Sequence, residues 1–461
     1  MTPAQLGRGS SQPDLDYRLV LNLSILFGLL LAFNFASAWI SQYYFNDSII
    51  AMVSWTGPDP SWMPSDVHLG AALGVHYFGD FEQYVGYARS QIPPYSSGDL
   101  LQAAYGPFAI VFIKVLDKIF RWPYEVFVFL LGSLVFFFAV LVEILGRKRE
   151  TLLFATLLLM TDGVILELDR GNLQMLVEAL FALFCLGMIN KRRAQYVGAL
   201  SFAIALKAYA AIFLLVLIKQ KKWFDAILIL VLDAVLYLIG FLLIPGGIAK
   251  NFKGFFTTNI AFAGPPGGHI NFLASYSSLA GDIYKFLLVA WGFSHLNNFY
   301  AHLAPIYVEL PGIIVAILCV AILFLSRSSI EIELIAILGL IQLAPATAAP
   351  YLLMDLVIEL CLLLRYMGRL QAIGKSKRAY SEIIHESNSA SQLRNNRSLT
   401  TAAVFLVIGL VPWIGRIGNT PGADTTLFSI VGSLANLSCM ICVLVYLIGH
   451  RRKGLSVTAS I

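Results

Sequence analysis

The chain has 461 residues, 58% of them hydrophobic and 13% charged, where a soluble domain carries about 45–50% apolar and about 25% charged residues. With a mean hydropathy of +0.76, this balance excludes a water-soluble enzyme, a disordered chain and a coiled coil, and charge-free runs near the ~20 residues that cross a bilayer point to a membrane protein. The net charge of +5 argues for no nucleic-acid partner, because the cations lie in short clusters between apolar runs and not on one basic module.

The first charge-free run, 19–46, follows Arg8 and Arg18 and contains Ala36-Ser37-Ala38, which looks like a signal-peptidase site. A secretory apolar region is only about 7–15 residues, so an uncleaved first helix is expected instead. Further apolar segments fall near 124–145, 151–168, 172–189, 223–244, 302–326, 331–348, 351–364, 399–418 and 425–448. The expected fold is all-α, a polytopic transmembrane helical bundle of about ten spans. The segment 194–218 lies between two basic clusters and is too short to cross twice, which predicts a re-entrant helical hairpin with Lys207 near its tip, lining a cavity.

Lysine and arginine gather at Arg147-Lys148-Arg149, Lys191-Arg192-Arg193, Lys219 to Lys222, Arg327, 365–398 and Arg451-Arg452-Lys453. One alternating topology puts all of these, with both termini, in the cytoplasm of a multi-pass cell-membrane protein. The expected organisation is a cytoplasmic tail 1–18, a transmembrane core 19–364 with outer loops 45–123 and 245–301, a disordered cytoplasmic loop 365–398, a pair of helices 399–450 and a tail 451–461. The front of the first outer loop is acidic and the second is basic. All five cysteines lie within apolar runs, so none staples an outer loop, and the Cys439/Cys442 pair has zinc spacing without a second ligand pair. No metal or cofactor site is expected.

Several residues carry chemistry. Asp80, in Gly79-Asp80-Phe81-Glu82-Gln83-Tyr84, sits among aromatic residues, and a partly desolvated carboxylate suits a general base. The alternative is a helix cap. Over 107–121, Lys114, Lys118 and Arg121 share a helical face, as expected of an outer interfacial helix that touches lipid phosphate or merely snorkels. Asp169-Arg170-Gly171-Asn172 forms an outer turn, where Arg170 either grips phosphate or pairs with Asp169. Lys207 is costly at membrane depth unless it is paired, and Asp233 in the next span is a possible counter-ion. Asp162, Glu178, Asp355 and Glu359 also lie at membrane depth, where packing or a polar cavity would explain them.

The order of these features resembles glycosyltransferase family 87, GT-C mannosyltransferases that use polyprenyl-phosphate-mannose. The resemblance rests on Gly79-Asp80 with Tyr84, Pro94-Tyr95, Tyr105-Gly106-Pro107, Arg170-Gly171-Asn172, Ala205-Leu206-Lys207 and Lys221-Lys222-Trp223. Asn271 with Ser277-Ser278-Leu279, and Pro345 to Tyr351, look like its later motifs. The family's usual Tyr-Pro-Pro reads Tyr105-Gly106-Pro107 here, and its usual histidine is absent from 345–351.

The resemblance implies a GT-C fold and a metal-independent, inverting hexose transfer, with mannose as the sugar, from a polyprenyl-phosphate donor to a lipid or glycan acceptor on the extracytoplasmic face. Asp80 matches the base, while Lys207 and Arg170 match donor-phosphate positions. His269 in the basic outer loop joins that phosphate set, and Glu82, Tyr84, Asn172, Lys114, Lys118 and Asn271 are candidate lipid or substrate contacts. Two other classes fit parts of the pattern. A secondary transporter or flippase accommodates re-entrant half-helices, but the chain shows no repeat symmetry. An O-antigen ligase or polymerase also works outside the membrane, yet its arginine-rich outer loop is missing.

Overall fold

The computed structural model describes residues 15–45, 79–96, 105–121, 124–263, 279–280, 283, 310–326, 329–344, 353–381, 389–411 and 427–458. His269, Asn271 and the 345–351 motif lie outside the described residues. The described segments are helical. In chain order they are α1 (Tyr17–Phe45), α2 (Gly79–Arg89), a 3-10 turn (Pro94–Ser96), α3 (Pro107–Phe120), α4 (Tyr124–Leu145), α5 (Arg149–Leu158), α6 (Asp162–Arg170), α7 (Gln174–Ile189) and α8 (Arg193–Leu206). A second 3-10 turn (Ala208–Phe213) leads to α9 (Leu214–Lys219), α10 (Trp223–Leu243), α11 (Ile248–Ala263), α12 (Leu310–Leu325), α13 (Ile330–Leu343), α14 (Asp355–Ser381), α15 (Ser389–Gly409) and α16 (Leu427–Thr458).

The expectation of about ten spans is corrected. Among the described residues four helices are long and apolar enough to cross a membrane, at Tyr17–Asn34, Tyr124–Leu145, Trp223–Leu243 and Ile430–Gly449. The run 151–168 is split between α5 and α6, with Thr161 in extended conformation as the N-cap of α6. The run 331–348 yields the 14 residues of α13, about 21 Å of helix against a hydrocarbon core of about 30 Å. Every residue from Glu331 to Leu343 is buried within the protein. Its apolar composition therefore reports contact with other helices, which hydropathy alone does not distinguish from contact with lipid. In α10 the apolar residues Phe224, Ile227, Leu230, Val231 and Leu242 are exposed instead.

Two further segments differ in form from the sequence reading. The segment 194–218 is α8, a single extended residue at Lys207 (φ −139°, ψ 111°), the second 3-10 turn and most of α9. The stretch 365–398, expected as a disordered loop, is helical through Ser381 and again from Ser389.

Helix α7 lies at the middle of the packing, against α4, α6, α8 and α13, while α8 also touches α3 and α10. A tight turn joins α7 to α8, with Lys191 at a left-handed φ of 56°. Gly187 permits the approach, since a Cβ there would lie 2.8 Å from the Tyr196 amide nitrogen. Helices α13, α14, α15 and α16 pack on one another at the C-terminal side.

The start of α3 is wedged between α8 and α10. Gly106 donates its N–H to the Leu206 carbonyl at 3.0 Å, and a Cβ at Gly106 would run into the Ala205 carbonyl. Across the junction, a Cβ at Gly240 would lie 2.6 Å from the Phe108 nitrogen. Glycine at position 106 thus supplies an N–H that a proline there would lack. Gly106→Ala is expected to destabilise the detergent-solubilised protein by about 1–3 kcal/mol through overpacking, read as a lower unfolding temperature. An unchanged transition would mean that α3 does not seat this closely on α8.

Candidate active site

Four short sequence stretches meet at the Lys207 break. Helix α8 ends because Lys207 leaves the helical region, and its amide still caps the helix by donating to the Ala203 carbonyl at 2.8 Å. The side chain turns into the protein, where Lys207 is 2% exposed. Its ammonium donates to Asn172 Oδ1 at 3.2 Å and stands 4.8 Å from the Tyr105 ring centroid, a cation over an aromatic face.

Asn172 reaches this point through the turn that precedes α7. Gly171 closes α6 in the left-handed conformation (φ 64°, ψ 32°), with its N–H on the Glu167 carbonyl, a role that suits glycine because a Cβ is disfavoured there. Asn172 Oδ1 then accepts the Gln174 amide at 2.9 Å and the Tyr105 hydroxyl at 2.9 Å as well as Lys207. Tyr105 is held from two further directions. The Tyr95 hydroxyl donates to its carbonyl at 3.0 Å, and Tyr84 of α2 packs on its ring with centroids 4.3 Å apart.

A second polar thread starts beside the first. The Tyr209 hydroxyl donates to Gln174 Oε1 at 2.7 Å, and Gln174 Nε2 donates to Glu178 Oε1. Glu178 Oε2 and both carboxyl oxygens of Asp355 on α14 are buried without a hydrogen bond. Glu178 and Asp355 are both fully buried. Asp233, the counter-ion considered for Lys207, keeps one carboxyl oxygen buried without a hydrogen bond.

Of the residues singled out from sequence, the structure brings Tyr84, Asn172 and Lys207 together. Asp80 and Glu82 lie in the first turn of α2, four and two residues before Tyr84, and α2 packs against α6. Arg170 is the last residue of α6, two positions before Asn172. Lys114 is half-buried on α3, and exposed Lys118 belongs to a different pocket with Arg89, Asp117 and Arg121. In that pocket the Arg89 guanidinium holds the Asp117 carboxyl below the usual carboxylate range. Sequence reasoning did not assign Tyr95, Tyr105, Gln174 and Tyr209 as site residues. The i, i+4 spacing of Gln174 and Glu178 on one helix was a usable signal for that pair.

The model of glycosyltransferase family 87 matches residues 103–344. The chain belongs to glycosyltransferase family 87. As a member it is a hexosyltransferase of GT-C type, and Tyr105, Asn172 and Lys207 lie within the matched segment while Asp80, Tyr84 and Tyr95 precede it. No match was found among curated proteins or among solved structures.

Lys207→Met is expected to cost about 1–3 kcal/mol of stability, because it removes a charged donor from the buried Asn172 Oδ1 and the cation over the Tyr105 ring. A double-mutant cycle with Asn172→Ala should show a favourable coupling, and one with Asp233→Leu none. Coupling to Asp233 alone would move the partner of Lys207 to α10.

Proposed function

We propose that this glycosyltransferase moves a hexose, mannose, from a polyprenyl-phosphate donor to a lipid or glycan acceptor on the extracytoplasmic face of the cell membrane, with both termini in the cytoplasm. The observation that carries the reading is the buried Lys207 ammonium, fixed by Asn172 and the Tyr105 ring inside the family-matched segment. A cation in a poorly solvated site is suited to a departing phosphate, since its interaction with developing charge is strong there and needs little reorganisation.

In this mechanism Asp80 accepts the proton of the acceptor hydroxyl as that oxygen attacks the sugar C1. The bond from C1 to the donor phosphate oxygen breaks, and its electron pair leaves with the phosphate. A single displacement inverts the anomeric centre. Lys207, with Arg170 and His269, offsets the charge that the phosphate gains, so the step proceeds without a metal. Tyr84 supports the placement of Asp80, because both belong to the short helix that packs its tyrosine on Tyr105.

The test is incubation of the purified full chain with labelled polyprenyl-phosphate-mannose and a panel of lipid and glycan acceptors. Labelled product is expected, and a protein that moves the donor across a vesicle membrane without forming product would be a transporter. Asp80→Asn should lower transfer about 10²–10⁴-fold, the range for loss of a general base, while the protein still folds. Near-normal turnover in Asp80→Asn with a dead Glu82→Gln would reassign the base to Glu82. Transfer should persist in EDTA, and a strict requirement for added manganese or magnesium would overturn the metal-free step.

A further inference from the structure

We propose that the pocket where α2, α3 and α4 meet is a binding site for the phosphate of an anionic lipid headgroup. It is a cavity of about 620 Å³ lined by Arg89, Asp117, Lys118 and Arg121. Three cations face one carboxylate, and that carboxylate is already engaged: Arg89 Nε lies 3.1 Å from Asp117 Oδ2, and Nη2 lies 2.5 Å from Oδ1. The fork fixes the Arg89 guanidinium at one wall, with buried Glu125 behind it at 3.8 Å. Lys118 and Arg121 are exposed at the mouth.

Three features tie this pocket to a lipid. First, Arg121 occupies φ 56°, ψ 148° at the end of α3, backbone that glycine adopts readily and arginine does not. A guanidinium thus stands where glycine would relieve the backbone. Second, the pocket opens where α4, a helix long enough to span, begins at Tyr124. Third, Val115, Ile119, Phe120, Tyr124 and Phe127 are exposed apolar side chains on the two adjoining helices. An apolar surface for acyl chains therefore adjoins cations for a headgroup, the arrangement that recruits anionic lipids at a membrane surface. Guanidinium groups suit it because they bind phosphate through paired N–H donors.

The proposal requires α4 to lie in a bilayer and does not rest on the transfer reaction, so its test reads lipid retention and not product. Full-length protein in detergent micelles is titrated with phosphatidylglycerol or phosphatidylcholine, and bound lipid is counted by native mass spectrometry. One phosphatidylglycerol should be held in preference to phosphatidylcholine. Each cation removed should weaken it on the order of fivefold, hence roughly 25-fold for Lys118→Gln with Arg121→Gln. Arg121→Lys should retain part of the binding, keeping the charge but losing the paired N–H donors. Arg121→Gly should lose about fivefold in lipid while unfolding at the same or a higher temperature, which separates loss of the site from loss of the fold. Arg147→Gln, at the other end of α4, should leave retention unchanged. Equal retention of the two lipids, an equal loss in Arg147→Gln, or displacement of the lipid by millimolar inorganic phosphate would each overturn the proposal. The first two would reduce these residues to general surface charge, and the third would make the pocket a site for free phosphate.

Discussion

The arrangement of the candidate site depends on holding one ammonium, that of Lys207, inside an apolar helical bundle. Removing such a charge from water costs several kcal/mol unless hydrogen bonds and an opposite charge replace the lost hydration. Two separate stretches supply contacts in its place, the Asn172 carboxamide and the Tyr105 ring. Each needs its own backbone arrangement. Helix α8 must break at residue 207, Gly171 must turn left-handed so that Asn172 can face inward, and Gly106 must let α3 approach α8 closely enough to bring Tyr105 into place. The Arg-Gly-Asn and Tyr-Gly-Pro motifs are thus two supports for one charge.

The buried polar groups extend past this centre. Glu178 and Asp355 are fully buried carboxyl groups on α7 and α14. One helical turn further on, Glu359 accepts from Asn436 of α16 at 3.1 Å, and Asn436 also donates to Gln342 of α13. Buried polar side chains thus occur on α13, α14 and α16 as well as on α7. Buried polar networks are sensitive to packing because every member left without a partner keeps its desolvation cost.

Apolar helices occur in two settings in this protein. Helix α10 exposes much of its apolar side, as expected of a helix that meets lipid, whereas α13 is enclosed by protein. Both have the same kind of composition, since lipid tails and leucine-rich interiors are equally apolar. Length distinguishes them: α10 has 21 residues and α13 has 14. This explains how a count of apolar runs overstated the number of spans while the helical class and the membrane-compatible helices were correctly read.

Composition and residue order by themselves determined that the chain is helical, that it carries helices able to enter a membrane, and that it is a family 87 glycosyltransferase. They also marked Tyr84, Asn172 and Lys207, because glycine-bearing turns and a lone lysine in an apolar stretch are local features. The partners of those residues were decided only by the tertiary structure. Asp233 was plausible as a counter-ion, but the side chain that accepts from Lys207 is Asn172, 35 positions away in the turn before α7, with the Tyr105 ring beside it. Periodicity describes which face of one helix is apolar, whereas the choice of partner depends on how two faces are rotated against each other. That rotation is set by contacts such as Gly187 on Tyr196 and Gly106 on Ala205, whose partners are distant in sequence or whose closeness no local pattern encodes.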